Sequence, residues 1–383
     1  MSRIDNQRRL FVELVEILRP HWRHDPGQPQ RLADWLARHR AGSRDRRLYR
    51  ELTYTLWRIL PWVEDAAPET LIARVAQHAQ PSKATNDFIA TFAPSTGDLP
   101  QPSAALLPDW FAEEFPAATN AAEQTCLLSR APLWIRQQTD RPESVLEAFP
   151  EAERSEHVPG AWRLPIETNV RNSPAYAEGF VEIQDIGSQA LLHTLPSLLS
   201  GRWLDACAGA GGKTLQLAQL LRDCPETEIV AHDIRPQALR ELELRKNRAG
   251  LSKISTTRQP EGKFDAVLVD APCSGSGTWR RAPHLKWTTT PTTLRHAAER
   301  QQTLLARFAA MVKPGGWLIY FTCSLCSSEN SAVIRDFQMQ HPEFTPLPLT
   351  HPTSAAQIPA GQLTLYPSVL DSDGYFVAGL RRN

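Results

Sequence analysis

Two cysteines of this 383-residue chain stand where covalent chemistry could be done: Cys273, in Asp270-Ala-Pro-Cys273-Ser-Gly, and Cys323, in Thr322-Cys323-Ser. Each follows an apolar run of strand length, Phe264-Asp-Ala-Val-Leu-Val-Asp270 and Gly316-Trp-Leu-Ile-Tyr-Phe-Thr322. As parallel strands of one open α/β sheet, both runs would release their cysteine at the carboxyl edge, where such folds bind ligands. A thiolate is a soft nucleophile, and a carboxylate beside it can hold a substrate edge or steer a proton. Two thiols and Asp270 at one crevice therefore read as a reaction centre. Taken singly, each cysteine reads equally well as a small buried hydrophobe, and only the joint placement separates the readings. Cys126, Cys224 and Cys326 carry only the packing reading. Cys323 and Cys326 form a C-x-x-C, but neither a second such pair nor a His pair at ligand spacing accompanies it, so no metal is expected.

A second group of residues has the form of a nucleotide site. Trp203-Leu-Asp205 runs into a small-residue loop, Ala206-Cys207-Ala208-Gly209-Ala210-Gly211-Gly212-Lys213, followed by an apolar helix through Leu215, Leu217, Ala218 and Leu221. The next strand-like run, Ile229-Val-Ala-His-Asp233, ends in an acid where such folds accept hydrogen bonds from a ribose. A phosphate-cradling P-loop would need Gly at position 207, which is Cys, and the G-x-G-x-x-G of dinucleotide enzymes is absent. A turn that only packs helix on strand stays open for the loop by itself. S-adenosylmethionine fits the whole pattern best, since it has a ribose and an adenine but no phosphate to cradle. Cys207 reads as a small apolar loop residue.

The elements that must position these groups are legible from about Tyr176 onward, where strand and helix alternate. The order is the strand ending at Asp205, a helix, the strand ending at Asp233, a helix from Pro236 to Gly250, the strand ending at Asp270, a long helical segment over Leu294–Met311, the strand ending at Thr322 and a helix through Val333, Ile334 and Phe337. Asp373-Gly-Tyr-Phe-Val-Ala-Gly-Leu380 reads as a closing hairpin strand. This alternation predicts an α/β fold with a doubly wound, mostly parallel sheet. Upstream, Phe11, Leu14, Val15 and Leu18, and then Leu48, Leu52, Leu56 and Leu60, recur at helix spacing, so the start of the chain is all-helical. The Pro- and Ser-bearing stretch from Ala93 to Pro108 reads as a linker. Short helices near Trp110–Phe115 and Pro142–Phe149 flank a strand-like Leu133-Trp-Ile-Arg136, a small α+β module. The expected domains are 1–95, 106–172 and 173–383.

Composition narrows the function classes. At 42% hydrophobic and 22% charged, the chain is an ordinary globular protein, and no apolar run approaches the roughly 20 residues that span a bilayer. A cytoplasmic location with reduced thiols is expected. Net charge is zero, but residues 1–60 carry 13 Arg and no Lys against 7 acids. Arginine enrichment suits bidentate phosphate contacts, although a solvated helical surface has the same composition.

Asp205-Ala-Cys-Ala-Gly-Ala-Gly-Gly-Lys-Thr214, Asp270-Ala-Pro-Cys-Ser-Gly-Ser-Gly277 and Tyr320-Phe-Thr-Cys-Ser324, in this order, resemble the motifs of the NOL/NOP/Sun family of RNA cytosine-5 methyltransferases and its RsmB-like branch. Glu178-Gly-Phe-Val-Glu-Ile-Gln-Asp-Ile-Gly-Ser188, Arg281-Ala-Pro-His-Leu-Lys-Trp287 and Asp373-Gly-Tyr-Phe-Val-Ala378 extend the resemblance over about residues 176–380. It implies a Rossmann-like class I methyltransferase domain and S-adenosyl-L-methionine as cofactor. It also implies a covalent mechanism in which a thiolate adds to carbon 6 of cytosine and so makes carbon 5 nucleophilic. By the resemblance, Cys323 is the nucleophile, Cys273 aids proton removal or product release, Asp270 contacts target base and cofactor, and Lys213 orients groups in the pocket. The cofactor loop maps onto Cys207, Ala208, Gly209, Ala210, Gly211, Gly212 and Lys213, and the ribose acid onto Asp233. DNA cytosine methyltransferases use the Pro-Cys thiol as nucleophile, and the additional Thr-Cys turns this chain toward RNA.

The residues depart from the family pattern at three points. Ala210 stands where the family has Pro. No acid follows Ile254-Ser-Thr-Thr257, so Gln259 or Thr257 would take the adenine contact. Arg136-Gln-Gln replaces Arg-Val-Asn, which weakens an RNA role for Arg136. The amino-terminal helical region, with Gly42-Ser-Arg-Asp-Arg-Arg47, resembles a NusB-like RNA-binding domain, and with the α+β module it would form an RNA platform. The implied substrate is ribosomal RNA of the 16S type, with transfer RNA as the alternative, and the implied enzyme is a monomer. The target cytosine must be unstacked to expose both faces. The competing hypotheses are a non-catalytic RNA-binding assembly factor on the same fold, and a methyltransferase of DNA or protein.

Overall fold

The computed structural model describes residues 2–94 and 105–383, and the expected linker lies largely outside the described residues. The chain parts into two compact units, one made of residues 1–116 with Trp279–Thr290 and the other of Ala117–Thr278 with Pro291–Asn383. No helix among the described residues is long and apolar enough to cross a membrane.

The first unit is helical. Its main helices are Arg3–Leu18, Gln28–Arg38, Ser43–Arg58, Pro68–His78 and Asn86–Phe92. Ser2 starts the first with a reciprocal capping box to Asp5, which satisfies two backbone donors at the helix end. The i, i+3, i+4 stripes expected from the sequence meet inside: Phe11, Leu14, Leu48, Leu52, Trp57 and Phe88 share one core. Trp287, from the segment Trp279–Thr290, joins that same core, and its indole donates to the Trp57 carbonyl at 2.6 Å.

The second unit holds a small antiparallel sheet, Leu133–Gln137 between Ala161–Leu164 and Val181–Ile183 with Glu153–Arg154 at the outside, over a core of Ile135, Val145, Trp162 and Val181. Its larger part is an eight-stranded sheet. The strands are β1 (Arg202–Asp205), β2 (Glu228–His232), β3 (Ile254–Thr257), β4 (Phe264–Asp270), β5 (Val312–Thr322), β6 (Phe344–Pro346), β7 (Gln362–Leu365) and β8 (Tyr375–Arg382). They lie in the order β6-β8-β5-β4-β1-β2-β3, with β7 on β8. β1 to β5 are mutually parallel and β8 pairs antiparallel with β5, so the doubly wound, mostly parallel sheet is present. The closing hairpin strand is β8.

Strand period explains the site. Trp203, Ile229, Ala231, Ala266, Leu268, Ile319 and Phe321 fill one face, under α1 (Gly212–Leu220) and α2 (Pro236–Arg248). Leu204, Val230, Val267, Val269, Leu318 and Tyr320 fill the other, under α3 (Pro291–Ala309) and α4 (Ser331–Gln340). Both faces are covered, which is why these strands read as continuous apolar runs instead of alternating ones. Each buried aromatic or aliphatic side chain contributes about 1.5–3 kcal/mol. Counting by twos, Asp205, Asp270 and Cys323 fall on the Trp203–Phe321 face, at the carboxyl edge. The chain reverses direction across the sheet between β1 and β4, so this edge is a topological switch point.

Candidate active site

β4 and β5 are neighbours in parallel register, with Asp270 opposite Phe321. Their carboxyl ends therefore deliver the two cysteines side by side, and Cys273 Sγ lies 3.4 Å from Cys323 Sγ. Neither is sealed in the interior: both are half-buried. Beside them Lys213 Nζ donates to Asp270 Oδ2 at 2.8 Å, and the same ammonium sits over the Phe321 ring at 5.7 Å from its centroid. Burial opposes the Lys213 charge, but the Asp270 pair, with smaller contributions from Cys323 and Asp205, outweighs it and lifts the lysine above its ordinary pKa. The Cys273 thiol is raised well above the usual thiol range, first by its hydrogen bond to Cys323 and then by burial and the Cys323 and Glu329 charges. A thiol that holds its proton can donate it, and with Cys273 as donor Cys323 is the acceptor.

The loop that turns from Pro-Cys back into the unit is locked against the Thr-Cys loop. Ala271 N donates to Phe321 O at 2.9 Å, Gly277 N to Cys323 O at 3.0 Å, and Gly374 N to Gly277 O at 2.8 Å. Only glycine fits at 277, since a Cβ there would stand 2.0 Å from Gly374 O and 2.9 Å from Cys323 O. Ser276 Oγ accepts from Leu325 N at 2.8 Å and lies 3.0 Å from Ser324 Oγ.

The glycine-rich loop leaves β1 on the same edge. Gly209 and Gly211 take φ of +54° and +88°, in the left-handed region, and a Cβ on Gly211 would meet Leu242 Cγ at 2.7 Å. Gly211 thus serves both the turn and the close approach of α2. Gly209 N donates to Asp233 Oδ2 at 2.9 Å, which ties the loop to the second strand's acid. Asp233 also accepts from Arg235, at 2.8 Å from its backbone N and at 3.0 and 2.9 Å from Nε and Nη2. Burial works against the Asp233 charge, but these Arg235 bonds prevail and hold the carboxyl below its usual pKa. It is an ionised acceptor at neutral pH, with Arg235 covering it. Asp205 is buried, accepts from Thr214 Oγ1 at 2.6 Å through Oδ2 and has no partner for Oδ1. Burial raises its pKa to about 6 despite that bond, with Asp270 adding to the rise. Burial, together with Asp205, Asp270 and Asp233, pushes the Cys207 thiol to about 12, so it is unreactive. An ionised ribose acceptor, an unpaired Asp205 oxygen and a loop open above Gly212 fit a nucleoside such as S-adenosylmethionine.

Cys207 to Lys213, Asp233, Asp270, Cys273 and Cys323 are therefore brought to one sheet edge, within one unit. Arg136 is not: it is buried, donates to Gln184 Oε1 at 2.6 Å and to Gly212 O at 3.0 Å, and has its guanidinium on Gln138. It braces the start of α1 and presents no charge to solvent, which corrects the idea of an RNA contact. Thr257 donates to Gln259 O at 3.1 Å, close to the edge of the sheet beyond Asp233. Three participants gave no signal in the sequence: Glu329, Ser276 and Arg235 are ordinary polar residues in polar stretches, and only the fold reveals their partners.

The model of the 16S rRNA methyltransferase RsmB/F family matches residues 194–381. The ribosomal RNA small subunit methyltransferase B of Citrobacter koseri is 30% identical over 315 residues, 76% of this chain and 69% of that protein. The probable enzyme of that name from Synechocystis is 33% identical over 238 residues, 59% and 53% of the two chains. The chain spans about half to two thirds of the length of the curated relatives it matches. Among solved structures, PH0851 superposes with a TM-score of 0.73 at 23% identity, covering 98% of this chain and 99% of that one. NSun6 from Pyrococcus horikoshii reaches 0.60 at 16% identity, covering 72% and 97%. These two likenesses bear on the fold, and they agree with the Rossmann-like sheet expected from the sequence. The match to the Citrobacter protein over most of both chains bears out the resemblance read from the motifs: this chain belongs to the RsmB/F family of 16S rRNA methyltransferases, within NOL/NOP/Sun.

Proposed function

We propose that this protein is an S-adenosylmethionine-dependent RNA cytosine-5 methyltransferase acting on ribosomal RNA of the small subunit, with Cys323 as nucleophile. The observation that carries the reading is the pair of sulfurs 3.4 Å apart beside the Lys213–Asp270 ion pair at the switch-point edge. Cys273 keeps its proton and offers it in a hydrogen bond to Cys323, the sulfur that must attack. The Cys323 sulfur bonds to carbon 6 of an unstacked cytosine while Asp270 hydrogen-bonds the base edge. Electron density displaced from the carbon 5–carbon 6 double bond makes carbon 5 nucleophilic. Residues 207–213 and Asp233 would hold the cofactor, which supplies an electrophilic methyl group when bound. In release, the Cys273 thiol gives its proton to the departing Cys323 sulfur as the sulfur–carbon 6 bond breaks, and the Cys273 thiolate takes up the carbon 5 proton as the ring double bond re-forms. Lys213 fixes Asp270 in place through their 2.8 Å ion pair.

The helical region 1–95 and the module 106–172 supply the RNA platform, and the transferase domain is 173–383. Five of the thirteen arginines in the first sixty residues (Arg38, Arg40, Arg46, Arg47 and Arg50) are exposed around one helix–helix turn, while others, such as Arg23 with Glu64 at 2.7 Å, are spent on ion pairs. RNA affinity should fall steeply with salt. The same reading has the enzyme working as a cytoplasmic monomer. The test is purified protein with methyl-labelled S-adenosylmethionine and protein-free small-subunit RNA, transfer RNA or DNA. Label in 5-methylcytosine of the small-subunit RNA is the expected result. Label confined to transfer RNA moves the substrate, and no label in any cytosine overturns the proposal.

A further inference from the structure

Bonded to the residues that follow the two thiols lies a carboxylate that none of the roles above uses. Glu329 is wholly buried, in the turn that leads from the Thr-Cys loop into α4. Its Oε1 accepts from Ser274 N at 2.8 Å and Gln301 Nε2 at 3.1 Å, and its Oε2 from Ser274 Oγ at 2.5 Å and Ser324 Oγ at 2.6 Å. Tyr320 donates to its backbone carbonyl at 2.7 Å. Two of the four donors belong to Ser274, which follows Cys273 directly in the chain, one to Ser324, which follows Cys323, and one to Gln301 of α3. All are neutral, and no Lys or Arg pairs with this carboxylate among the described residues. A buried ion without a countercharge is costly, and an apolar side chain of similar volume would generally be cheaper. Four charge-assisted donors offset that cost and hold the carboxylate between the segments that carry the two thiols.

We propose that Glu329 is a positioning residue of the reaction: its carboxylate fastens the Pro-Cys loop to the Thr-Cys loop and keeps negative charge off Cys273, so that Cys323 alone carries it. The inference rests on the reading of Cys323 as nucleophile. The groups facing Cys273 are Cys323 at 3.4 Å, Glu329 and Tyr320, with Asp270 and its partner Lys213 beyond. Of these, Glu329 is the fully buried, fixed carboxylate. The burial that confines it also lets its field act with little screening. Lys213, by contrast, counts Cys323 among the groups that raise its pKa.

The variant Glu329→Gln keeps the side chain's size. Its carbonyl oxygen still accepts, and the hydroxyls of Ser274 and Ser324 can rotate to accept from its amide, so the tie is held while the charge is gone. The measurement is the pH profile of iodoacetamide alkylation at Cys273, read by peptide mass spectrometry in a Cys323→Ala background, without RNA or cofactor. Glu329→Gln should move the Cys273 midpoint to lower pH by roughly one unit. Ser324→Ala, which removes one donor and keeps the charge, should leave the midpoint in place. An unmoved midpoint in Glu329→Gln, or an equal shift in Ser324→Ala, would overturn the proposal, since the second would trace the effect to loosened packing. Because alkylation needs neither substrate, a failed methyl-transfer assay and a failed Glu329 test are separate results.

Discussion

Replacing Gly277 by alanine is the sharpest perturbation of the thiol pair that leaves both thiols intact. The added Cβ would start 2.0 Å from Gly374 O and 2.9 Å from Cys323 O. Both oxygens are backbone, and this segment is bonded to both residues: Cys323 O accepts from Gly277 N at 3.0 Å, and the Gly374 amide donates to Gly277 O at 2.8 Å. Restoring an ordinary carbon–oxygen contact therefore requires a backbone shift of about 1 Å, and the two bonds transmit it to the Thr-Cys loop. Misplacing a reacting atom by about that much costs on the order of a hundredfold in rate. Overpacking in a close-packed interior costs about 1–3 kcal/mol in stability. The assay is trapping with RNA containing 5-fluorocytosine, whose fluorine blocks loss of the carbon 5 substituent and leaves protein and RNA joined. Gly277→Ala should form this band about a hundredfold more slowly and unfold at lower urea, while its affinity for S-adenosylmethionine, held by residues 207–213 on another strand, changes only a few-fold. A trapping rate within threefold of the parent, in a variant shown to be folded, would refute the idea that this crossing of backbones positions Cys323.

The two thiols should part company on mutation. Cys323→Ala should abolish covalent attachment to RNA, whereas Cys273→Ala should let the adduct form and accumulate with unmodified RNA as a stable band on a denaturing gel; the reverse pattern would exchange their roles. Asp205 should make the fold less stable as pH rises. Its folded pKa of about 6 lies above the ordinary carboxyl value, so stability present at about pH 4 is lost as the group is forced to ionise, and at neutral pH the deficit is about 1–3 kcal/mol. In urea unfolding, Asp205→Asn should gain on the parent by that amount between about pH 4 and about pH 7, and a constant difference would refute the claim. Lys286, buried in the helical unit and donating to Arg58 O at 3.1 Å, is lowered to about 7 by burial and by Arg58. Its charge opposes folding below that value and the penalty fades as pH climbs toward the ordinary lysine range. Lys286→Met should therefore gain most over the parent at about pH 6 and roughly half as much at about pH 9 in the melting temperature of the helical unit.

Much of the site was legible because its residues obey strand arithmetic. Apolar runs ending in Asp270 and Thr322 could hardly be anything but covered parallel strands, and a cysteine just past each end then has only one edge to occupy. The glycine loop and Asp233 followed from the same rule. What escaped the sequence depends on contacts between positions far apart in the chain. Glu329 reads as a surface residue in Ser-Ser-Glu-Asn until the fold closes Ser274, Ser324 and Gln301 around it. Arg235 is exposed, and nothing in Ile-Arg-Pro says that it doubles back on the ribose acid. Arg136, whose RNA role its neighbours Gln137 and Gln138 already weakened, is drawn inside by the Gln138, Gln184 and Gly212 acceptors. The segment from Trp279 to Thr290 was legible as a motif but not as part of the helical unit, because its indole finds its acceptor more than two hundred positions upstream.

That last placement bears on how the protein is born. The helical unit is synthesised first, yet Trp287, which fills its interior, emerges from the ribosome roughly two hundred residues after Phe92, a delay of about 10–40 s at usual translation speeds. Through that interval the unit waits with an unfilled hollow, and a fragment ending at residue 116 would keep it for good.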